Sequence, residues 1–464
     1  MAYQLFNHIQ GKNGSRWTQF IRNHGAENIL VVAIDAAKYI NKALLCNLYG
    51  DVYIRPFEFD STMQGFKRLR NQIEAIKKEE CCTAVVVGIE TTGHYYEDLV
   101  RLSSKEGYMV RVINAATTAE ERKSLLNSSK TDNLDLLAIV QSIIHGRGQT
   151  SDLPFGRVAV LRKLTRLRRE YVNQRTATGN TILGLVDHIF REYQGKKIKV
   201  NGKMKKVKVF SDVFGKASRF ILRHFPHPSD ILNLGKEGLR ELSQRQNLKL
   251  RDDVIHSLLK YAGESISKPK EDLKAELFML PLQLDQYEML DKQINLLERE
   301  IEDILIDSEG AVLLTVSGMG VVTSAELYAE MGDITDFDHG GQLIKMAGTN
   351  PVVKQSGGNR PSYYAISKQG RKQFRNVVFQ AGRTLSANNP EMKKKYTTLK
   401  ERGKQYRQAY VAIGNRMIRL AFSMMKNHTL YQTTRPDYVL IKELKKKVSC
   451  KNVKRFYGKH VSAT

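Results

Sequence analysis

The run Ile29-Leu30-Val31-Val32-Ala33-Ile34-Asp35 constrains this chain most. A short, apolar, largely β-branched stretch predicts a strand buried on both faces of a sheet. Asp35 then sits where the strand leaves the sheet. A second copy of the pattern ends in Glu90, at Thr83-Ala84-Val85-Val86-Val87-Gly88-Ile89-Glu90. Further on, Lys130-Thr131-Asp132-Asn133-Leu134-Asp135 opens an amphipathic helix whose two acids, three residues apart, share one face. Four carboxylates gathered at one end of a sheet repel each other unless divalent cations neutralise them. The pattern therefore points to a two-metal phosphoryl-transfer centre.

Charge names the kind of partner. The chain has 464 residues, enough for two or three domains, and a formal net charge of +26. With 41% hydrophobic and 26% charged residues it is globular rather than a disordered tail. So basic a protein favours a polyanion, nucleic acid or an anionic membrane. No apolar run approaches the length of a membrane span, and the N-terminal sequence lacks a signal-peptide core. Nucleic acid is favoured, with a cytoplasmic location and association with the nucleoid during activity. Cys46, Cys81, Cys82 and Cys450 lack C-x-x-C spacing and are expected to be reduced and free of zinc.

In chain order, residues 1–28 form a polar, basic extension with a weak helical pattern. Strands follow the first one at 42–48 and 52–57, then a helix at 63–78 and the strand at 83–90. A helix at 95–105, a strand at 108–113 and helical sequence from 119 onward complete a mixed sheet flanked by helices. That order, with acids after the first and fourth strands and on a late helix, resembles the RNase H-like fold, in its RuvC-type branch. The domains expected are therefore the extension 1–28, a catalytic domain at 29–150, a basic helical linker with a coiled coil at 151–305, a mainly helical C-terminal domain at 306–431 and a basic tail at 432–464.

Residues 161–169 place Leu161, Leu164 and Leu167 at helical spacing with Arg162, Arg166 and Arg169 on other faces. A solvated charged face and a nucleic-acid stripe are both compatible with this pattern. Residues 196–208 alternate basic and apolar around Asn201-Gly202, as a basic β-ribbon or a loop would. Residues 209–275 look helical and carry no recognisable chemistry. From Leu290, apolar residues recur at Ile294, Leu297, Ile301 and Ile304, a heptad seam for which a dimer is the working expectation and packing within the chain the alternative. Gly318 and Gly320 precede a new helix, as in a helix-hairpin-helix whose backbone N–H groups meet a phosphate; a plain helix connection is the alternative. Residues 347–360 form a Pro- and Gly-rich loop holding Ser356 beside Gly357-Gly358, followed by Arg360, Lys368, Arg371 and Arg375. A serine there can attack a phosphodiester if a base or metal activates it and cations hold the phosphate. Solvated or capping serines are commoner. Ser367 is expected to cap the next helix.

Taken together, GIETTGHYYEDL, KTDNLDLLAI, GMGVVTSAEL, AGTNPVVKQSGG and AISKQGRKQFR resemble the insertion-sequence transposases of the IS one-ten family and the Piv-type DNA invertases, over residues 29–145 and 311–430. The resemblance implies that Asp35, Glu90, Asp132 and Asp135 bind Mg²⁺, two ions in all, and that Ser356 bonds covalently to DNA; spacing alone leaves Ser362 open as the nucleophile. It further implies double-stranded target and donor DNA, a structured noncoding guide RNA, and a homo-oligomer (dimer or tetramer) in which one subunit's acidic domain meets another's serine domain. A serine ester preserves bond energy, so strands are exchanged and resealed without ATP. The rival expectations are a Holliday-junction-type endonuclease that uses the acids and water alone, a Piv-like invertase, and a nucleic-acid-binding protein without catalysis.

Overall fold

The computed structural model describes residues 11–91, 93–124, 132–150, 156–200, 203–354 and 362–431. The chain divides into two compact units, Met1–Phe155 and Gly156–Thr464.

The first unit runs α1 (Gly11–His24), β1 (Ile29–Asp35), β2 (Ile40–Asn47), β3 (Val52–Asp60), α2 (Met63–Glu79), β4 (Ala84–Glu90), α3 (Tyr96–Lys105), β5 (Met109–Ile113), α4 (Ala115–Ser124), α5 (Asp132–Ile144) and β6 (Gln149–Thr150). The sheet order is β3-β2-β1-β4-β5-β6. β1 pairs antiparallel with β2 and parallel with β4, which is parallel to β5, so the sheet is mixed as expected.

The unbroken apolar runs have a direct cause. Leu30, Val32, Ile34, Val85, Val87 and Ile89 face one core with Phe66, Leu69 and Ile73 of α2 and Leu99 and Val100 of α3. Ile29, Val31, Ala33, Ala84 and Val86 face the other with Leu136, Ile139 and Ile143 of α5 and Trp17 of α1. Helices cover both faces, so neither set of alternating positions can be polar. Thr62 caps α2 by accepting from the Gly65 amide at 3.1 Å, and Lys77 and Lys78 complement the dipole at its other end.

The described part of the expected extension is helical and packs on the sheet domain. Residues 11–24 are helix α1, and Trp17 is buried in the second core. Beneath its ring, 5.0 Å from the centroid, lies the buried Arg111 guanidinium, which donates to the carbonyls of Gly146, Arg147 and Gly148. Burial lowers the Arg111 pKa to about 10.

The second unit runs α6 (Gly156–Ile189), β7 (Lys196–Val200), β8 (Lys203–Val207), α7 (Lys216–His224), α8 (Pro228–Arg245), α9 (Asp252–Gly263), α10 (Lys274–Ile306), α11 (Val321–Met331), α12 (Gly340–Ala347), β9 (Pro351–Lys354), β10 (Ser362–Ile366), α13 (Lys372–Asn388), α14 (Pro390–Glu401) and α15 (Tyr406–Lys426). β7 and β8 pair antiparallel from Lys196↔Val207 to Val200↔Lys203, so the basic segment is a ribbon. α6 and α10, 34 and 33 residues long, lie together as a long hairpin. One end enters a core with α7, α8 and α9 through Ile182, Val186, Leu280 and Leu284. The other enters the core of α11, α12, α13 and α15 through Leu161, Ile301 and Leu305.

The heptad seam corrects. Leu290, Ile294 and Ile301 are buried, and the hairpin partner α6 covers that face of α10 within one chain. The opposite face of α10 exposes Phe278, Leu282, Met289 and Leu296. No helix among the described residues is long and apolar enough to cross a membrane. Cys46, Cys81 and Cys82 are free thiols.

Candidate active site

The parallel pairing of β1 and β4 sets the acidic end of the sheet. Ile34 lies opposite Ile89, so the next residue on each strand, Asp35 and Glu90, leaves the sheet side by side. Glu90 is 7% exposed, and its Oε1 accepts from the buried Thr118 hydroxyl of α4 at 3.0 Å. Asp135 lies one turn into α5, is 5% exposed and pairs with Arg122 of α4. Asp132 is the first residue of α5. Burying a carboxylate is costly unless hydrogen bonds or a cation compensate, and α4 supplies one of each.

Gly88 seats α5 against this sheet end. A Cβ at Gly88 would lie 2.3 Å from Ile143 Cδ1 and 3.1 Å from Ile139 Cγ2, so the glycine lets these α5 side chains rest directly on β4. A larger residue forces Ile143 and Ile139 of α5 to repack, at a cost of about 1–3 kcal/mol. The donor set is all carboxylate oxygen, the chemistry of a hard cation such as Mg²⁺. Among the described residues, no three Asp, Glu, His or Cys side chains stand together as a cage for an ion; the Asp132 side chain is outside that description.

Ser356, Arg360 and the segment 355–361 lie outside the described residues, but the stem that carries them is described. β9 and β10 pair antiparallel, with Ser362 opposite Lys354 and Ile366 opposite Pro351. Below the strands, Thr349 Oγ1 and Asn415 Oδ1 are 2.6 Å apart, and Asn415 Nδ2 donates to the Thr349 carbonyl. Ser367 corrects: α13 starts at Lys372 with Arg371 as its N-cap residue. The Ser367 hydroxyl instead bonds Asn350 Oδ1 at 2.8 Å, and its amide bonds the Asn350 carbonyl. Arg375 donates to the carbonyls of Ala347 and Lys368, closing the foot of the stem. The foot of β9 and β10 is thus tied from both strands and from α15.

The expected basic stripe has partners of its own. Arg162 Nε donates to the Ala329 carbonyl at 2.8 Å, and Arg166 forks onto Glu330 with bonds of 2.9 and 3.1 Å. Arg169 pairs with Glu326. Glu326 and Glu330 are 4% and 2% exposed on α11, so these arginines tie α6 to α11. Burial pushes the Glu326 carboxyl above the usual carboxylate range, with Arg169 pulling it down. Arg371 donates to the Glu330 carbonyl. Lys368 is exposed, with φ of 55°.

Gly318 and Gly320 differ. Gly318 sits at φ +92°, where an L side chain is strained, and packs against α13, a Cβ there lying 3.2 Å from Asn388 Cβ. Gly320 is exposed and precedes α11 as its N-cap residue.

Sequence reasoning missed Thr118, Arg122, Gly88 and Asn415. A signal existed for the α6–α11 pairs. Glu326 and Glu330 stand about one helical turn apart in the otherwise apolar VVTSAELYAEM, as do their partners Arg169 and Arg166 on α6.

Residues 32–191 match a family model of IS110-type DEDD transposases, described as "Transposase", and residues 310–397 match one described as "Transposase IS116/IS110/IS902 family". Together they span just over half of the chain. The chain is similar to the uncharacterized 44.8 kDa protein of insertion element IS116 from Streptomyces clavuligerus, 22% identical over 87% of this chain and 96% of that protein. It is 24% identical to the uncharacterized 43.6 kDa protein of insertion element IS110 from Streptomyces coelicolor, over 47% of this chain and 54% of that one. It also resembles the pilin gene-inverting protein of Moraxella bovis, 24% identical over 26% of this chain and 38% of its relative.

Proposed function

The chain belongs to the IS110 family of transposases, and from that premise we propose that it cleaves and rejoins DNA through a covalent bond to Ser356. The observation that carries this reading is the emergence of Asp35 and Glu90 from adjacent parallel strands, with buried Asp135 on the helix seated against them. The strand order supports an RNase H-like, RuvC-type domain. Asp35, Glu90, Asp132 and Asp135 are the residues that would hold Mg²⁺. When bound, the metal neutralises charge at the attacking and leaving oxygens of a phosphoryl transfer.

The rest falls to the chain. Ser356, which in sequence joins β9 to β10, is the nucleophile of this reading, and Arg360 and Lys368 neutralise the phosphate. The Ser356 hydroxyl gives up its proton, its Oγ bonds to phosphorus, and the deoxyribose oxygen departs as a hydroxyl. Religation is the reverse with a new strand's hydroxyl. A structured guide RNA selecting target and donor DNA belongs to the same proposal, supported by the charge of +26. So does self-association. Leu282, Met289 and Leu296 are exposed at seven-residue intervals, a seam that a second copy of α10 can cover. A strict monomer by light scattering, free and with DNA, removes that part.

The deciding experiment is denaturing recovery of protein–DNA adducts from cells carrying the gene with its native flanks. The wild type yields an adduct, and Ser356→Ala and Asp35→Ala abolish it. Mg²⁺-dependent nicking that persists in Ser356→Ala without any adduct overturns the serine reading and leaves a nuclease. Resemblance to a pilin gene-inverting protein favours a second reading, DNA inversion by the same residues; sequencing the trapped DNA separates the two.

A further inference from the structure

We propose that the elbow between α14 and α15 is a stacking platform for the bases of a single nucleic-acid strand. Residues 393–407 carry Lys393, Lys394, Lys395, Lys400, Arg402, Lys404 and Arg407 against one acid, Glu401. All seven cations are exposed, and among the described residues none has a carboxylate partner. Lys400 reaches only the Lys404 carbonyl, at 3.0 Å.

Aromatic rings rise through the middle of this charge. Phe379 of α13 meets Tyr410 of α15 edge-on, with centroids 5.6 Å apart. Tyr396 of α14 stacks on Tyr410 at 5.3 Å and 14°. Tyr406 leans its edge on Tyr410 at 5.9 Å and is 46% exposed. The Arg407 guanidinium lies 5.5 Å from the Tyr406 centroid, while its Nε donates to the Tyr406 hydroxyl. The base of the ladder is rigid, because Gly382 and Gly414 let α13 and α15 touch backbone to backbone.

Packing explains the inner rings, since Phe379, Tyr396 and Tyr410 pin three helices together. It does not explain Tyr406, the outermost ring, held in place by Arg407 with nearly half its surface in water. A flat, open ring and a guanidinium plane among unpaired cations suit unstacked bases, whose phosphates the lysines neutralise. A duplex hides its base faces and gains only from the charge. An acidic protein segment would likewise use the lysines and not the ring. The inference is independent of the strand-transfer chemistry.

The test measures fluorescence anisotropy of the full chain with oligouridylate, oligothymidylate and a duplex of matched length at fixed salt. Tyr406→Ala is expected to weaken single-strand binding by roughly tenfold or more and to leave duplex binding within about twofold of wild type. Tyr406→Trp, which restores a flat face, retains single-strand affinity. Whichever of the two strands shows the larger Tyr406 dependence identifies the source as RNA or DNA. Unchanged single-strand binding in Tyr406→Ala overturns the proposal. So does an equal loss on single strand and duplex, or competition by polyglutamate with the same dependence on Tyr406. A melting temperature equal to wild type certifies the variants. Because no strand is cut, the platform and the serine chemistry fail or stand separately.

Discussion

Two basic stretches of the second unit look alike as sequence and differ in three dimensions. On α6, Arg162, Arg166 and Arg169 meet the Ala329 carbonyl, Glu330 and Glu326, and their charge is balanced inside a helix contact. Along α14 and into the start of α15, seven cations face water, and among the described residues none has a carboxylate partner. The first stretch holds the fold together; the second leaves its charge free for a polyanion. Local charge density therefore does not locate a nucleic-acid surface. What locates it is whether acids elsewhere in the chain have already answered that charge.

The difference breaks in predictable ways. Arg169→Ala strands Glu326 in the core without its cation, which should cost about 3 kcal/mol, read as a melting temperature several degrees lower. At the other stretch, replacing Lys393, Lys394 and Lys395 together with Ala should leave stability within about 0.5 kcal/mol. The same variant should weaken single-strand binding roughly thirtyfold near physiological salt and flatten its salt slope by about 2. A triple variant that melts early, or an Arg169→Ala that melts like wild type, would erase the contrast.

The smallest effect concerns pH. Burial holds the folded-state Glu326 carboxyl above its ordinary value of 4.5. The proton is therefore bound more tightly in the folded chain, and protonation removes the need for a cation partner. Arg169 lowers that pKa, so the Arg169→Ala chain carries it higher still; the deficit should be full above the variant's folded pKa and shrink as pH falls to the wild-type value, itself above 4.5, which melting curves across that window would trace.

Much of the first unit was legible in the sequence because its signals are local. A strand buried on both faces writes itself as an unbroken apolar run, and two such strands in parallel carry Asp35 and Glu90 to the same sheet end. The extension hid its role because one residue, Trp17, does most of the burying. Arg122 and Thr118 were illegible as partners because nothing in α4 marks which acid each meets. The seam on α10 was a true packing stripe assigned to the wrong partner: periodicity reports that a face is covered, not by what. Ser367 failed as a cap because the helix waits for four more residues while the loop foot is tied to Asn350.

The paired helices α6 and α10 also keep a distance. Thirty-three residues of helix in α10 extend about 50 Å at 1.5 Å per residue. Arg168–Glu298 and Arg175–Asp291 bolt the two rods together along that length. Leu284, in the core with α7, α8 and α9, and Ile301, in the core of α11, α12, α13 and α15, stand seventeen residues apart on α10, so the rods hold those two cores about 25 Å apart. That separation is set by helix length rather than by any contact with a ligand.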